Sequence, residues 1–247
     1  MAFTKIYIFP ILFGIWIPLT VFITFTVSVL TEHVRPLLPY ISDTGTWAPE
    51  SCIFGIMLTF GSIFLLIIVY VRYRYLQEVQ RKNNYSPTLR KINKAGLYVG
   101  YVSIFGCLIV ANFQVSETFI VHNLGAFSCF GCGAIYQVIQ VKLSFKMYPT
   151  IGHRKNNIFR AVVTAISCLT FITTFICAAL SIRYFTGTDM TKWKQEDGGY
   201  EFHIASAVSE YVLVISTVLH IVTYFYEFRT IEFNEPPISI KGVVAEA

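Results

Sequence analysis

Four stretches of this chain, 6–31, 52–71, 95–116 and 161–182, contain no Asp, Glu, Lys or Arg. Each can supply the roughly 20 residues that a helix needs to cross bilayer hydrocarbon. Two more, 118–141 and 202–226, are interrupted only by His122 and by His203, Glu210 and His220. A backbone in hydrocarbon must satisfy its own polar groups, and a helix does so within one segment. The chain is therefore expected to be an all-α integral membrane protein. Its 1–233 region should form one bundle of six transmembrane helices, followed by a tail at 234–247. Composition agrees: only 13% of the 247 residues are charged and mean hydropathy is +0.59, too apolar for an ordinary soluble domain. The first span is about twice as long as a signal-peptide apolar region and lacks a small-residue cleavage pattern, so it reads as a retained helix. Pro10 and Pro18 predict a kink in it.

Lys and Arg are shared unevenly among the connections. Counting the termini, 72–94 and 142–160 as one side places fifteen of the nineteen positive residues there, leaving Arg35, Arg183, Lys192 and Lys194 opposite. Cytosolic loops carry the excess of positive residues. Both termini are thus expected in the cytosol, with 32–51, 112–118 and 183–203 facing the lumen or exterior. This arrangement also explains the net charge of +5 without nucleic acid. The basic residues flank helix ends, where anionic lipid attracts them. Arg81, Lys82, Arg90 and Lys91 form a basic cytosolic face suited to an anionic membrane or an acidic partner. The tail "EFNEPPISIKGVVAEA" reads as extended and held only by a partner.

An ionisable residue inside a span is costly and marks a functional site by default. Glu210 is the sharpest case, about eight residues into the last span, or roughly 12 Å at the helical rise. His203, Ser206, Glu210, Val214 and Thr217 follow helical spacing along one face, polar near the lumen and apolar deeper. Asn112, Gln114, Glu117, His122 and Asn123 come from the same depth. Such a group could bind a lipid headgroup, couple to protons or lock helices together. Metal chemistry has little support. A zinc site needs about three converging ligands, yet no two of His33, His122, His153, His203 and His220 share a helix at i, i+3 or i, i+4. No metal, cofactor or catalytic residue is expected, since GxSxG, HExxH and phosphate-cradling loops are all missing. Cys129 and Cys132 lie mid-span and read as packing residues. Gly96 and Gly100 permit close helix approach.

Between the first two spans runs "YISDTGTWAPE", 40–50. Asp43-Thr44-Gly45 is a turn sequence, Pro49 suits a first helical position, Glu50 complements the positive helix end and Trp47 fits a headgroup belt. Extended to "YISDTGTWAPESCIFG", the stretch resembles the first lumenal loop and second helix of the damage-regulated autophagy modulator (DRAM) family. The wider superfamily includes the Frag and Sfk proteins. "ANFQVSE" at 111–117, "VHNLGA" at 121–126 and "SAVSEYVLV" at 206–214 are similar to later landmarks of that family, in the same order.

The resemblance implies a six-helix endomembrane or plasma-membrane protein without established catalysis. Its relatives are associated with lysosomes and autophagy, phosphoinositide control and GPI-anchor lipid remodelling. It maps shared polar positions onto Asp43, Gly45, Pro49, Glu50, Asn112, Gln114, Glu117, His122 and Glu210. The combined expectation is a small lumenal polar cap in which Asp43 and Glu50 approach Glu117, His122 and Glu210. The protein carrying it would organise or regulate membrane lipid handling without being an enzyme. Its partners would be membrane lipids and a protein complex, such as a lipid-transfer or lipid-kinase assembly. An intramembrane lipid-remodelling enzyme and a small transporter or channel are the alternatives.

Overall fold

The computed structural model describes residues 5–232; the tail at 234–247 lies outside them. Six long helices run up and down: α1 (Ile8–Leu30), α2 (Glu50–Lys82), α3 (Pro87–Asn112), α4 (Phe119–Lys146), α5 (Arg154–Tyr184) and α6 (Tyr200–Val222). A 3₁₀ turn at Asp43–Gly45 precedes α2, and a one-turn helix α7 (Phe225–Phe228) follows α6. All six long helices are apolar enough to cross a membrane, so the predicted class of fold is present. Consecutive helices pack side by side and α6 returns to α1, closing a ring. One end of the ring carries the 31–49, 113–118 and 185–199 connections; the other, basic end carries 83–86, 147–153 and α7.

Several helices outrun their apolar cores at the basic end. The stretch 72–94, read from its charges as a loop, is mostly helix, and only 83–86 connects α2 to α3. Charge ends a hydropathic run but not a helix, because Arg, Lys, Gln, Glu and Leu are all good helix formers. The extension is anchored by Leu76, fully buried with Leu143, Met147 and Ile151. The break comes where Ser86 accepts the Leu89 amide as an N-cap and Pro87 takes the first helical position. In α1, Pro18 is internal, whereas Pro10 lies in the first turn, where a missing N–H leaves no helical bond unmade.

Exposed Ile15, Phe22, Ile56, Phe105, Leu124 and Leu169 give the ring an apolar outer surface. Lipid is as apolar as these side chains, so helices associate by close packing rather than by hydrophobic burial. The tightest seam joins α3 to α4. A Cβ on Gly106 would lie 2.6 Å from the Gly125 carbonyl oxygen, and one on Gly125 would lie 2.5 Å from Ile109. Gly96 and Gly100 also face inward, against Ile139 on α4 and Val69 on α2.

Candidate functional site: a carboxyl-ended cavity inside the ring

The connection after α1 folds back over the ring. Thr44 Oγ1 donates to the Ile41 carbonyl at 2.7 Å and shares a 3.0 Å hydrogen bond with Thr24 of α1. Gly45 leaves no room for a side chain, since a Cβ there would meet the Phe54 ring of α2. Pro49 stands just before α2, which begins at Glu50. The Glu50 carboxylate, in the first turn of α2, pairs with His33, tying the end of α1 to the start of α2. Trp47 remains exposed beside His33.

The same connection is fastened to α6 through a carboxylate. The Ile41 amide donates to Glu210 Oε2 at 2.8 Å. Tyr40 stands edge-on to His203, whose ring stacks on Trp193 from the α5–α6 connection at 4.5 Å. Burial raises the Tyr40 hydroxyl to about 12. Asp43, only 5% exposed, has an Oδ2 without a hydrogen-bond partner. Burial pushes its carboxyl well above the usual range, and the neighbouring Glu210 charge pushes it further.

Beneath this connection lies a cavity of about 490 Å³ reached by all six long helices. That volume falls within the range of small-molecule pockets. Ile17, Leu58, Leu65, Phe130 and Val218 make most of its wall apolar. Asp43 and Glu210 stand at the end nearest the 31–49 connection, joined by His122, and Asp189 borders the α5–α6 side. Among the described residues, no Lys or Arg lines it. His122 Nδ1 lies 2.6 Å from the Phe113 carbonyl and donates to it, which commits that nitrogen to the α3–α4 turn.

The predicted polar cluster is therefore divided. Asp43, His122 and Glu210 share the cavity, but Glu50 is withdrawn to His33 and Glu117 is exposed on the α3–α4 turn. Asn112 donates back to the Leu108 carbonyl of its own helix. With Gln114 it borders a separate groove between α2 and α3, beside Cys52 and Gly55. The expected approach of Glu50 and Glu117 to Glu210 is thus not found. Position along a helix predicts depth, whereas direction depends on helix rotation and, for Glu117, on a turn with no helical face. On the opposite side, Arg81, Lys82, Arg90 and Lys91 are exposed, the first two contacting Glu78 at 2.7 and 3.7 Å.

A second polar centre escaped the sequence reading. Arg72, Arg160 and Glu227 are almost fully buried near the basic end. Arg160 donates to both Glu227 oxygens at 3.0 and 3.2 Å, to Ser144 at 2.6 Å and to Thr223 at 2.9 Å. Arg72 donates to Gln140 and Ser144 and brings Nη1 within 3.4 Å of Glu227. The Tyr224 ring lies 4.7 and 4.9 Å from the two guanidinium carbons. Three long helices, the C-cap of α6 and α7 are joined there. Arg72, Arg160 and Glu227 each sit just beyond a predicted apolar run, a common depth that points to convergence. Among the described residues, no three His, Cys, Asp or Glu side chains are grouped to hold a metal ion.

A family profile described as the Frag1/DRAM/Sfk1/Cwh43P N-terminal domain matches residues 5–231. DNA damage-regulated autophagy modulator protein 2 of Rattus norvegicus is 35% identical, over 88% of this chain and 81% of its own length. Protein 1 of the same name from Homo sapiens is 33% identical over 90% of both chains. The modulator of macroautophagy TMEM150B of Danio rerio is 27% identical over 83% of this chain and 77% of its own. No solved structure matches.

Proposed function

Because the chain belongs to the Frag1/DRAM/Sfk1/Cwh43 family, we propose that it acts in autophagy-related membranes as a non-enzymatic multi-span subunit that organises or regulates lipid handling. The supporting observation is the cavity, whose long apolar wall ends in buried carboxyls. Such a chamber suits an amphiphile better than a polar solute, whose path across a membrane needs polar groups along its whole length. An intramembrane enzyme would use Glu210 and His122 as acid and base. His122, however, spends its Nδ1 hydrogen bond on the Phe113 carbonyl, and the Glu210 bond goes to the Ile41 amide.

In this reading the basic end faces the cytosol, of a lysosomal, endosomal, endoplasmic-reticulum or plasma membrane. Its exposed Arg90 and Lys91 would meet an acidic partner or an anionic leaflet, and a lipid-transfer or lipid-kinase assembly is the kind of complex it would join. Affinity purification in mild detergent, with mass spectrometry of proteins and lipids together, tests the reading. A stoichiometric protein partner and a co-purifying lipid are expected. Conversion of a defined lipid by the purified chain alone, lost in Glu210→Gln, would replace the regulatory role with an enzymatic one.

A further inference from the structure

We propose that the cavity is a receptor for a single-chain amphiphile with a primary amine headgroup, held between Asp43 and Glu210 with its hydrocarbon chain along the apolar wall. The inference rests on the lipid-handling reading and names the ligand class of the same site.

The first observation is Asp43, which lines the cavity and whose buried Oδ2 has no hydrogen-bond partner among the described residues. Native proteins seldom leave such an atom unmatched, because desolvating a carboxylate without compensation costs several kcal/mol by order of magnitude. The second is charge. Among the described residues, Asp43, Asp189 and Glu210 border the chamber and no Lys or Arg does, so an ammonium occupant would supply the counter-charge with which Asp43 and Glu210 ionise together. A primary ammonium has three donors, enough for Asp43 Oδ2 and Glu210 with one remaining. A quaternary ammonium has none and would leave Oδ2 unmatched. The third is the wall. Ile17, Leu58, Leu65 and Phe130 continue inward from the carboxyls, along the path a hydrocarbon chain would take.

The lining also selects against other amphiphiles. A fatty acid would bring its carboxylate against Asp43 and Glu210. An amine-bearing phospholipid would bring a phosphate into a chamber whose described lining has three acids and no Arg or Lys. The shared chemistry is thus an amine on a chain without phosphate.

The test uses the full chain in phosphatidylcholine nanodiscs, exposed to a hexadecylamine probe with a photoreactive diazirine near its chain end. Adducts are mapped by peptide mass spectrometry. Labelling is expected on cavity segments of α2 and α4, around Leu58–Leu65 and Phe130. Unlabelled hexadecylamine should remove it, while hexadecanoate and lysophosphatidylethanolamine should not. Asp43→Asn and Glu210→Gln should each lower occupancy about tenfold, the scale of one charge-assisted hydrogen bond. Leu65→Trp, which fills the chamber and spares both carboxyls, should abolish labelling while the protein elutes as a folded species. Competition on the unaltered chain keeps the test decisive if a variant fails to fold. Equal competition by hexadecanoate, or unchanged labelling in folded Asp43→Asn and Glu210→Gln, would overturn amine recognition and leave the lipid cavity intact. If no chain-bearing competitor reduced labelling and no adduct fell in the cavity, both readings would fail.

Discussion

Asp43 and Glu227 are both buried carboxyls, yet their surroundings are electrostatically opposite. Among the described residues Asp43 has no cation beside it, and burial with the Glu210 charge raises its pKa above the ordinary 3.8. A carboxyl with a raised folded-state pKa binds its proton more tightly when folded, so its stabilising contribution is full below the unfolded value and is lost as pH rises through the folded one. In thermal unfolding in detergent the Asp43 contribution should therefore be lost as pH rises above about 4, so that Asp43→Asn makes the midpoint less sensitive to rising pH. Glu227 instead lies between two buried guanidiniums. Removing one partner of a buried ion pair leaves the other charge uncompensated and typically costs about 3–5 kcal/mol. Glu227→Ala should lose about that much in chemical unfolding, whereas Glu227→Gln, which keeps an acceptor for Arg160, should lose less.

Among the elements, the α3–α4 pair depends most on the absence of side chains. Gly106 has the Gly125 carbonyl and the Cys129 amide in the space a Cβ would need, and these backbone atoms cannot move without separating the helices. Gly106→Ala should destabilise by about 1–3 kcal/mol, the usual scale of overpacking, read as a lower thermal midpoint. Gly133→Ala is milder, since its Cβ would meet only the Ser103 hydroxyl, at 3.2 Å. The α2–α3 hairpin carries a different prediction. Arg81 already holds Glu78 through two hydrogen bonds, and Lys82 shares it. Replacing Arg90 and Lys91 with Gln should weaken retention of an acidic partner in pull-downs more than the same change at Arg81 and Lys82. Near an anionic surface each basic residue contributes about 1 kcal/mol, and a satisfied one less. Equal losses from the two pairs would show that the hairpin is read as a whole.

At the scale of the whole molecule, six helices close a ring around a chamber at one end and a buried charge cluster at the other. The cluster joins α2, α4, α5, the C-cap of α6 and α7 through Arg72, Gln140, Ser144, Arg160, Thr223 and Glu227, a network that ties the basic end together. The 31–49 connection at the chamber end is held by separate ties, Ile41 to Glu210, Thr44 to Thr24 and His33 to Glu50, rather than by one shared network. Hydrogen exchange in nanodiscs should accordingly show slower amide exchange in 140–160 than in 31–49. Membrane orientation is tested separately with epitope tags at each terminus. In sealed vesicles of native orientation, protease added to the cytosolic side should remove both tags, and protection of either would reverse the assignment.

Sequence alone was enough for the number of spans and the helical class, because apolarity accumulates residue by residue and needs no knowledge of neighbours. It also placed the turn at Asp43–Gly45, where the requirement is local. Sequence alone did not determine which polar residues meet. His122, Glu117, Asn112 and Gln114 were grouped with Glu210 by depth, and Asp43 and Glu50 joined them through the family resemblance; helix rotation then sent the groups to different places. Arg72 and Arg160 read as loop charges because hydropathy ends where a charge begins. Only the tertiary structure, by continuing α2 and beginning α5 before its apolar run, turned them inward to Glu227. A buried ion pair is a relation between distant chain positions, set by how helices rotate and pack rather than by the residues flanking either partner.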